Sequence, residues 1–499
     1  MLDAGFNPDF VVLAVLLAGS VIVGLRTGRG MSSADAYLLG DRSLPWWAIL
    51  GSIVATETST ATVLSVPGEA AAGVGLRWLQ LPLGYLLGRL IVARLLLPRY
   101  FDGQLMTAYE LLEKRFGGFT RRMCSLVFLI ARNLGDGLRL FLAGLVLQTF
   151  LGWRFETGVV VMGVVTVIYT VLGGLKSVVW NDCIQFVIYT AGGLAAVFVL
   201  ANRIPGGWSE FGSFAAASGQ LQVLDFTWSL EQPFNFWAGL IGGAVLTIGT
   251  HGTDHMMVQR YLSARSLGDA KKAVIWSGVV VLLQFALFLV IGVQLACFLN
   301  ATSQPFPKTS DQIFVEFIVR DFPRGYGLIG LMLAAVLSAA MSTLSSSLNA
   351  SASAVLNDFW LPLRRQTAPE AKVQLRWSRW LTLIFGVVQI GTALWARTLE
   401  RSVVQNALSI AGFSAGLLLG IFLLGVFSRR AGQTAALVGA ACGLGVLLVV
   451  KFVLPEGIRM AGFTLQLKLA WPWLALIGST TTCVCGSLAA VLRPGAPRS

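Results

Sequence analysis

The sequence predicts an all-α integral membrane protein, and three observations predict it. Apolar stretches of about 20 residues recur along the whole chain, the length a helix needs to cross the hydrocarbon core of a bilayer. Charged residues make up 12% of the chain against 56% hydrophobic ones, which excludes an ordinary soluble domain. The basic residues behind the net charge of +13 sit in short connections between apolar segments. In that position they orient spans and do not form a nucleic-acid surface, so no nucleic-acid partner is expected.

Thirteen segments read as spans, near 8–26, 46–74, 77–97, 121–150, 155–173, 178–201, 234–258, 270–299, 326–358, 376–397, 402–427, 432–454 and 470–492. Connections on one side carry 22 of the 37 basic residues, among them Arg99, Lys114, Arg115, Lys176, Arg260, Lys271, Lys272, Arg429 and Arg430. The excess of positive charge on that side predicts an outside N-terminus and a cytoplasmic C-terminus, which an odd number of spans satisfies. Two longer connections, about 202–233 and 300–325, then fall outside and have room for short surface helices or gates. No cleavable signal peptide is expected, because Asp3 and Asp9, and no lysine or arginine, precede the first apolar segment. The six cysteines lie in or beside apolar segments without metal-type spacing and read as small hydrophobes.

Span nine has the most informative composition. In LAAVLSAAMSTLSSSLNASASAVLND, Ser338, Ser342, Ser345, Ser346, Asn349 and Ser353 fall on roughly one helical stripe. Small polar residues let helices pack closely, which is one reading. The other is that the hydroxyls of Ser342 and Thr343, with backbone carbonyls, replace the water shell of a sodium ion. Span two crowds Thr56, Glu57, Thr58, Ser59, Thr60 and Thr62 at mid-membrane depth, followed by Pro67-Gly68 and Glu69. Such residues compete with helical backbone bonding, and a broken helix at that depth survives only where it lines a cavity. Broken helices that expose carbonyls are how many secondary transporters build midplane ion sites.

Charge inside the membrane is costly, so each further charged residue is weighed. Arg132, Asp136 and Arg139 lie on one face of span four, either as a local ion pair or in solute or gate duty. Asp182 follows the turn GGLK into span six, where a helix N-terminus favours an acid. His251 and His255 flank Asp254 at the inner end of span seven, without the further ligands a zinc site requires. No nucleophile–base arrangement is visible, so an enzyme is not expected.

These pieces together resemble the sodium/solute symporter family, which includes sodium–glucose, sodium–proline, sodium–pantothenate and sialic acid transporters. The resemblance rests on YLLGDRSLPWWAILGS, LMTAYELLEKRFG, GGLKSVVWNDCIQF, GTDHMMVQRYLSAR and the serine-rich ninth span, all in the family's order. It implies a LeuT-type core of two inverted five-helix repeats, 44–201 and 234–427, separated by the external loop 202–233. An extra N-terminal helix lies within 1–30 and two C-terminal helices within 432–492.

It further implies a main sodium site of Ala55, Thr58, Ala339, Ser342 and Thr343, and in some members a second sodium at Asp182, Ser342, Ser345 and Ser346. Thr250 stands where sugar-carrying relatives place a tyrosine gate, Gln405 matches their pocket glutamine, and Glu57 takes the place of an aspartate of proline carriers. Thr60, Glu69, Gln80, Arg132, Asp136, Arg139 and His251 complete the solute-contact candidates. The expected function is sodium-coupled import of a small polar solute, with a preference for one bearing a carboxylate, by a monomer in the cell membrane. Sodium is the only ion or cofactor expected. Proton coupling through Asp182 or Asp254, or a non-transporting nutrient sensor, are the alternatives.

Overall fold

The computed structural model describes residues 8–27, 33–103, 105–307, 309–364, 370–398, 403–455, 458–460 and 463–492. The path opens with α1 (Pro8–Thr27) and the short α2 (Ala34–Leu39), capped at its start by the Ser33 hydroxyl. It continues with α3 (Trp46–Glu57), α4 (Thr60–Glu69), α5 (Gln80–Ile91), α6 (Leu97–Phe101) and α7 (Glu110–Phe116). Then come the long helices α8 (Gly118–Leu151) and α9 (Phe155–Arg203), followed by α10 (Gly207–Ala217). The second half comprises α11 (Gly243–Gly252), α12 (His255–Leu262), α13 (Leu267–Ala301), α14 (Ser310–Arg320), α15 (Leu328–Val355) and α16 (Leu361–Leu363). It closes with α17 (Ala371–Trp395), α18 (Val403–Phe427), α19 (Gln433–Leu448) and α20 (Pro472–Leu492). A small antiparallel hairpin pairs β1 (Ile458–Met460) with β2 (Phe463–Leu465).

Among the described residues each predicted segment contains helix, but the helices are cut differently from the predicted spans. Among the described residues, eight helical stretches are long and apolar enough to cross a membrane, and two of them, Thr60–Phe101 and Phe155–Arg203, each run over parts of two predicted segments. Gly174 (φ 54°, ψ −165°) breaks the helical path inside α9, at the turn GGLK predicted to join spans five and six. The outer connections carry surface helices, α10 in one and α14 in the other.

The break in the second span falls within the crowd of hydroxyl residues at Thr58, and Pro67-Gly68 adds no second one. The helical path stops after Glu57, Thr58 is extended (φ −81°, ψ 91°), and α4 runs on through Pro67. Gly68 serves packing: a Cβ there would lie 1.9 Å from the carbonyl oxygen of Ser310, so only glycine lets α14 approach.

α15 is the centre of the bundle. Residues 332–354 are all buried, and the helix packs against α9, α1, α3, α8 and α17. A hydroxyl-rich helix with no lipid-facing side must direct its hydroxyls at other helices, and this geometry creates the site.

Candidate functional site

The site forms where α15 crosses the interrupted stretch between α3 and α4. An α-helix leaves its last carbonyls without intrahelical partners. Here the amide of Ser59, which a continuous helix would direct at Ala55, donates to Thr62 Oγ1 at 3.3 Å. The amide of Thr58 bonds back to Val54 at 2.9 Å, so the carbonyls of residues 55–57 lie at the frayed end. Thr343, buried on α15, donates its hydroxyl to the carbonyl oxygens of Thr56 and of Ala339, each at 3.2 Å. Ser342 is fully buried beside it and donates to Asp182 Oδ1 at 2.6 Å. Thr58 Oγ1 donates to Gln284 Oε1 on α13 at 2.5 Å, beside the Tyr189 hydroxyl. The residues expected at the main sodium site are therefore gathered at one crossing.

Asp182, Ser345 and Ser346 adjoin this crossing. Asp182 Oδ2 accepts from Ser52 Oγ at 2.5 Å and lies 3.3 Å from Arg260 Nη2. The charge pattern of the sequence places Arg260 in a cytoplasmic connection. In the structure it is wholly buried on α12, with its guanidinium bonded to Ser52, Thr56 and Ser346. Ser345 donates back to the Ser342 carbonyl at 3.1 Å.

The expected solute contacts divide. Glu57 pairs with Arg89, whose guanidinium is fully buried and also donates to Ser277 at 2.6 Å; His251 Nε2 lies 3.5 Å from the same carboxylate. Thr60 Oγ1 is fully buried and makes no hydrogen bond within the protein. Arg139 pairs locally with Asp136 as its spacing suggests, whereas Arg132 reaches across to Asp254 and is 3.8 Å from Asp136. Arg132, Arg139, Thr250 and Asp254 line one cavity between α8, α11 and α18, together with Ser414.

Two candidates belong to the scaffold. Glu69 accepts from Ser310 at 2.8 Å at the start of α14. Gln80 spends its amide on the carbonyls of Arg77 and Phe234 and on the amide of Asp225, tying an outer loop to α5. Both read as solute contacts in the sequence because an intramembrane polar side chain looks the same whether it binds a loop or a ligand. The side chain of Gln405 lies outside the described residues.

Sequence reasoning missed Arg89, Arg260 and Gln284. A charge count treats an arginine near a span end as a loop residue, and a lone glutamine in an apolar helix gives no periodic signal.

A bundle with an interrupted helix facing a buried, hydroxyl-lined one is the architecture of a secondary transporter. A solved Na+-coupled sialic acid symporter, in a substrate-bound outward-open state, matches with a TM-score of 0.87 and 26% identity, covering 100% of both chains. The nucleobase-cation-symport-1 family transporter Mhp1 shares the fold at a TM-score of 0.57 and 11% identity, over 93% of this chain and 96% of its own. The model of the sodium:solute symporter family matches residues 37–443, and the chain belongs to that family.

Its relatives include the human sodium-coupled monocarboxylate transporter 1, 30% identical over 89% of this chain and 73% of the relative. The human sodium/iodide cotransporter is 29% identical over 89% and 69%. The sodium/sialic acid symporter SiaT of Proteus mirabilis is 26% identical over 90% of each. The chain is thus a multi-pass membrane protein of a family of sodium-coupled transporters.

Proposed function

We propose that the protein is a sodium-coupled symporter in which one Na+ binds between α3 and α15, held by the carbonyls of Ala55, Thr58 and Ala339 and the hydroxyls of Ser342 and Thr343. The observation that carries this reading is the contact of Thr343 Oγ1 with the Thr56 carbonyl, 3.2 Å across two helices at the point where α3 stops. Neutral hydroxyls and carbonyls suit a monovalent ion that must later be released. Sodium there bridges an element of each inverted five-helix repeat, 44–201 and 234–427. It favours the outward-open state and orders the interrupted stretch for solute. In this reading thirteen spans cross the membrane with the N-terminus outside.

The solute is a small polar organic molecule, preferably bearing a carboxylate. The cavity lined by Arg132, Arg139 and Thr250 supports a polar solute, and a carboxylate there would share the two guanidiniums with Asp254 and Asp136. Relatives that carry monocarboxylates and sialic acid point the same way. Proton coupling is the weaker reading, because Asp182 and Asp254 each face a guanidinium that they would have to release.

A tenfold sodium gradient supplies about 1.4 kcal/mol and 100 mV about 2.3 kcal/mol per charge. One ion therefore sustains roughly 500-fold accumulation of a neutral solute, but only about tenfold of a monocarboxylate, whose charge cancels that of the ion across the potential. Proteoliposomes given a sodium or a proton gradient, and offered sugars, amino acids and organic acids, test both halves. Uptake driven by sodium and strongest for organic acids is expected; uptake driven by protons alone would overturn the ion, and transport of neutral sugars alone would overturn the solute.

A further inference from the structure

A cavity of about 480 Å³ opens between the first turns of α17 and the stretch of α9 just before the Gly174 turn, away from the site described above. Lys372, Arg376 and Arg379 line it, and Val171, Trp380 and Leu383 give it an apolar wall. The three cations and Leu383 are spaced i, i+4, i+7 and i+11, so they share one face of α17. Among the described residues none of the three pairs with a carboxylate, and Arg379 Nε is buried without a hydrogen-bond partner. Like charges at these spacings repel along a helix, so the stripe lacks an anion.

The composition of α17 sets the depth of the cavity. Trp377 and Trp380 are exposed beside the cations, and Trp377 stacks near Trp360 at 5.5 Å between ring centroids. One turn further on, the exposed face becomes aliphatic: Leu383, Ile384, Val387 and Val388 are open, Val387 to 63%. Basic residues and tryptophans mark the headgroup level of a bilayer, and bare aliphatic side chains mark its hydrocarbon. The cavity therefore spans the depth at which a lipid's phosphate passes into its chains. Orienting a span needs only charges in a connection. It needs neither a hollow beside them nor an apolar wall and a buried, unpartnered guanidinium N–H.

We propose that this cavity binds one anionic phospholipid, its phosphate accepting hydrogen bonds from Lys372, Arg376 and Arg379 and an acyl chain lying along Val171 and Leu383. The lipid neutralises the stripe and bridges α17 to α9. Basic pockets between spans on the cytoplasmic side suit such headgroups, and in the orientation proposed above this face looks into the cytoplasmic leaflet, which carries anionic lipid. The sodium site plays no part in the proposal.

The test is native mass spectrometry of the purified full-length protein in neutral detergent, titrated with phosphatidylglycerol or with phosphatidylcholine of the same chains. Wild type is expected to hold one phosphatidylglycerol at least about tenfold more tightly than phosphatidylcholine, and each cation removed is expected to weaken it about fivefold. Arg376→Gln combined with Arg379→Gln should show that loss, whereas Arg429→Gln combined with Arg430→Gln, an exposed basic pair in another connection, should not. Equal affinity for the two lipids, or equal losses in the two double variants, would overturn the proposal. Glycerol 3-phosphate at millimolar concentration is expected to leave the lipid bound; displacement by it would mean a site for free phosphate and would overturn the lipid. If the Arg376→Gln, Arg379→Gln protein does not fold, Lys372→Gln, exposed on the first turn of α17, carries the same comparison with the same fivefold loss expected.

Discussion

The hydroxyl of Thr343 on α15 donates to the carbonyl of Thr56 on α3 at 3.2 Å, joining residues 287 positions apart in sequence. A backbone carbonyl at a frayed helix end and a hydroxyl from a neighbouring helix are both oxygen acceptors. Their convergence in a buried setting is the contact on which the proposed sodium site rests.

Removing that oxygen tests the site. Thr343→Ala is expected to raise the sodium concentration for half-maximal uptake about tenfold or more, the equivalent of about 1.4 kcal/mol. Thermal stability without sodium should fall by only about 1 kcal/mol, the worth of one hydrogen bond. Sodium titration of uptake in proteoliposomes measures the first effect; an unchanged titration would mean that Thr343 is a packing residue.

Glu57 is expected to matter before any solute arrives. Its carboxylate neutralises the fully buried guanidinium of Arg89, so Glu57→Gln strands a charge at a cost of about 3–5 kcal/mol. Thermal unfolding without solute should show that loss, and Glu57→Gln combined with Arg89→Gln should recover part of it. A solute-only role for Glu57 would leave unfolding in the absence of solute unaltered.

Gly68→Ala introduces a Cβ that would sit 1.9 Å from the Ser310 carbonyl oxygen, so α14 must shift. Overpacking of this kind costs about 1–3 kcal/mol. Unfolding midpoints in detergent check it, and a midpoint equal to that of wild type would show that α14 yields freely.

Gln80→Leu separates scaffold from solute duty. Its amide bonds Arg77, Phe234 and Asp225, so the change leaves buried or half-buried loop groups without partners and should cost about 1–3 kcal/mol. The concentration dependence of solute uptake should stay as in wild type. A large rise in KM with intact stability would return Gln80 to the solute site.

The helices and the hydroxyl-rich stripe of α15 were legible in the sequence because both are local signals. Apolar length marks a span, and the polar side chains of Ser342, Ser346 and Asn349 repeat at helical spacing whatever surrounds them. The crowding of β-branched and hydroxyl residues around Thr58 located the interruption, although Pro67-Gly68 turned out to serve the approach of α14. Only the tertiary structure decided what each polar group faces. Arg260 reads as a loop charge until α12 tucks it beneath α3, and Glu57 reads as a solute contact until α5 brings up Arg89. The reason is physical: periodicity reports which face of a helix a residue occupies, whereas an ion pair depends on distances between helices far apart in the chain. Within a bilayer that pairing determines whether a buried charge binds a ligand or holds the fold.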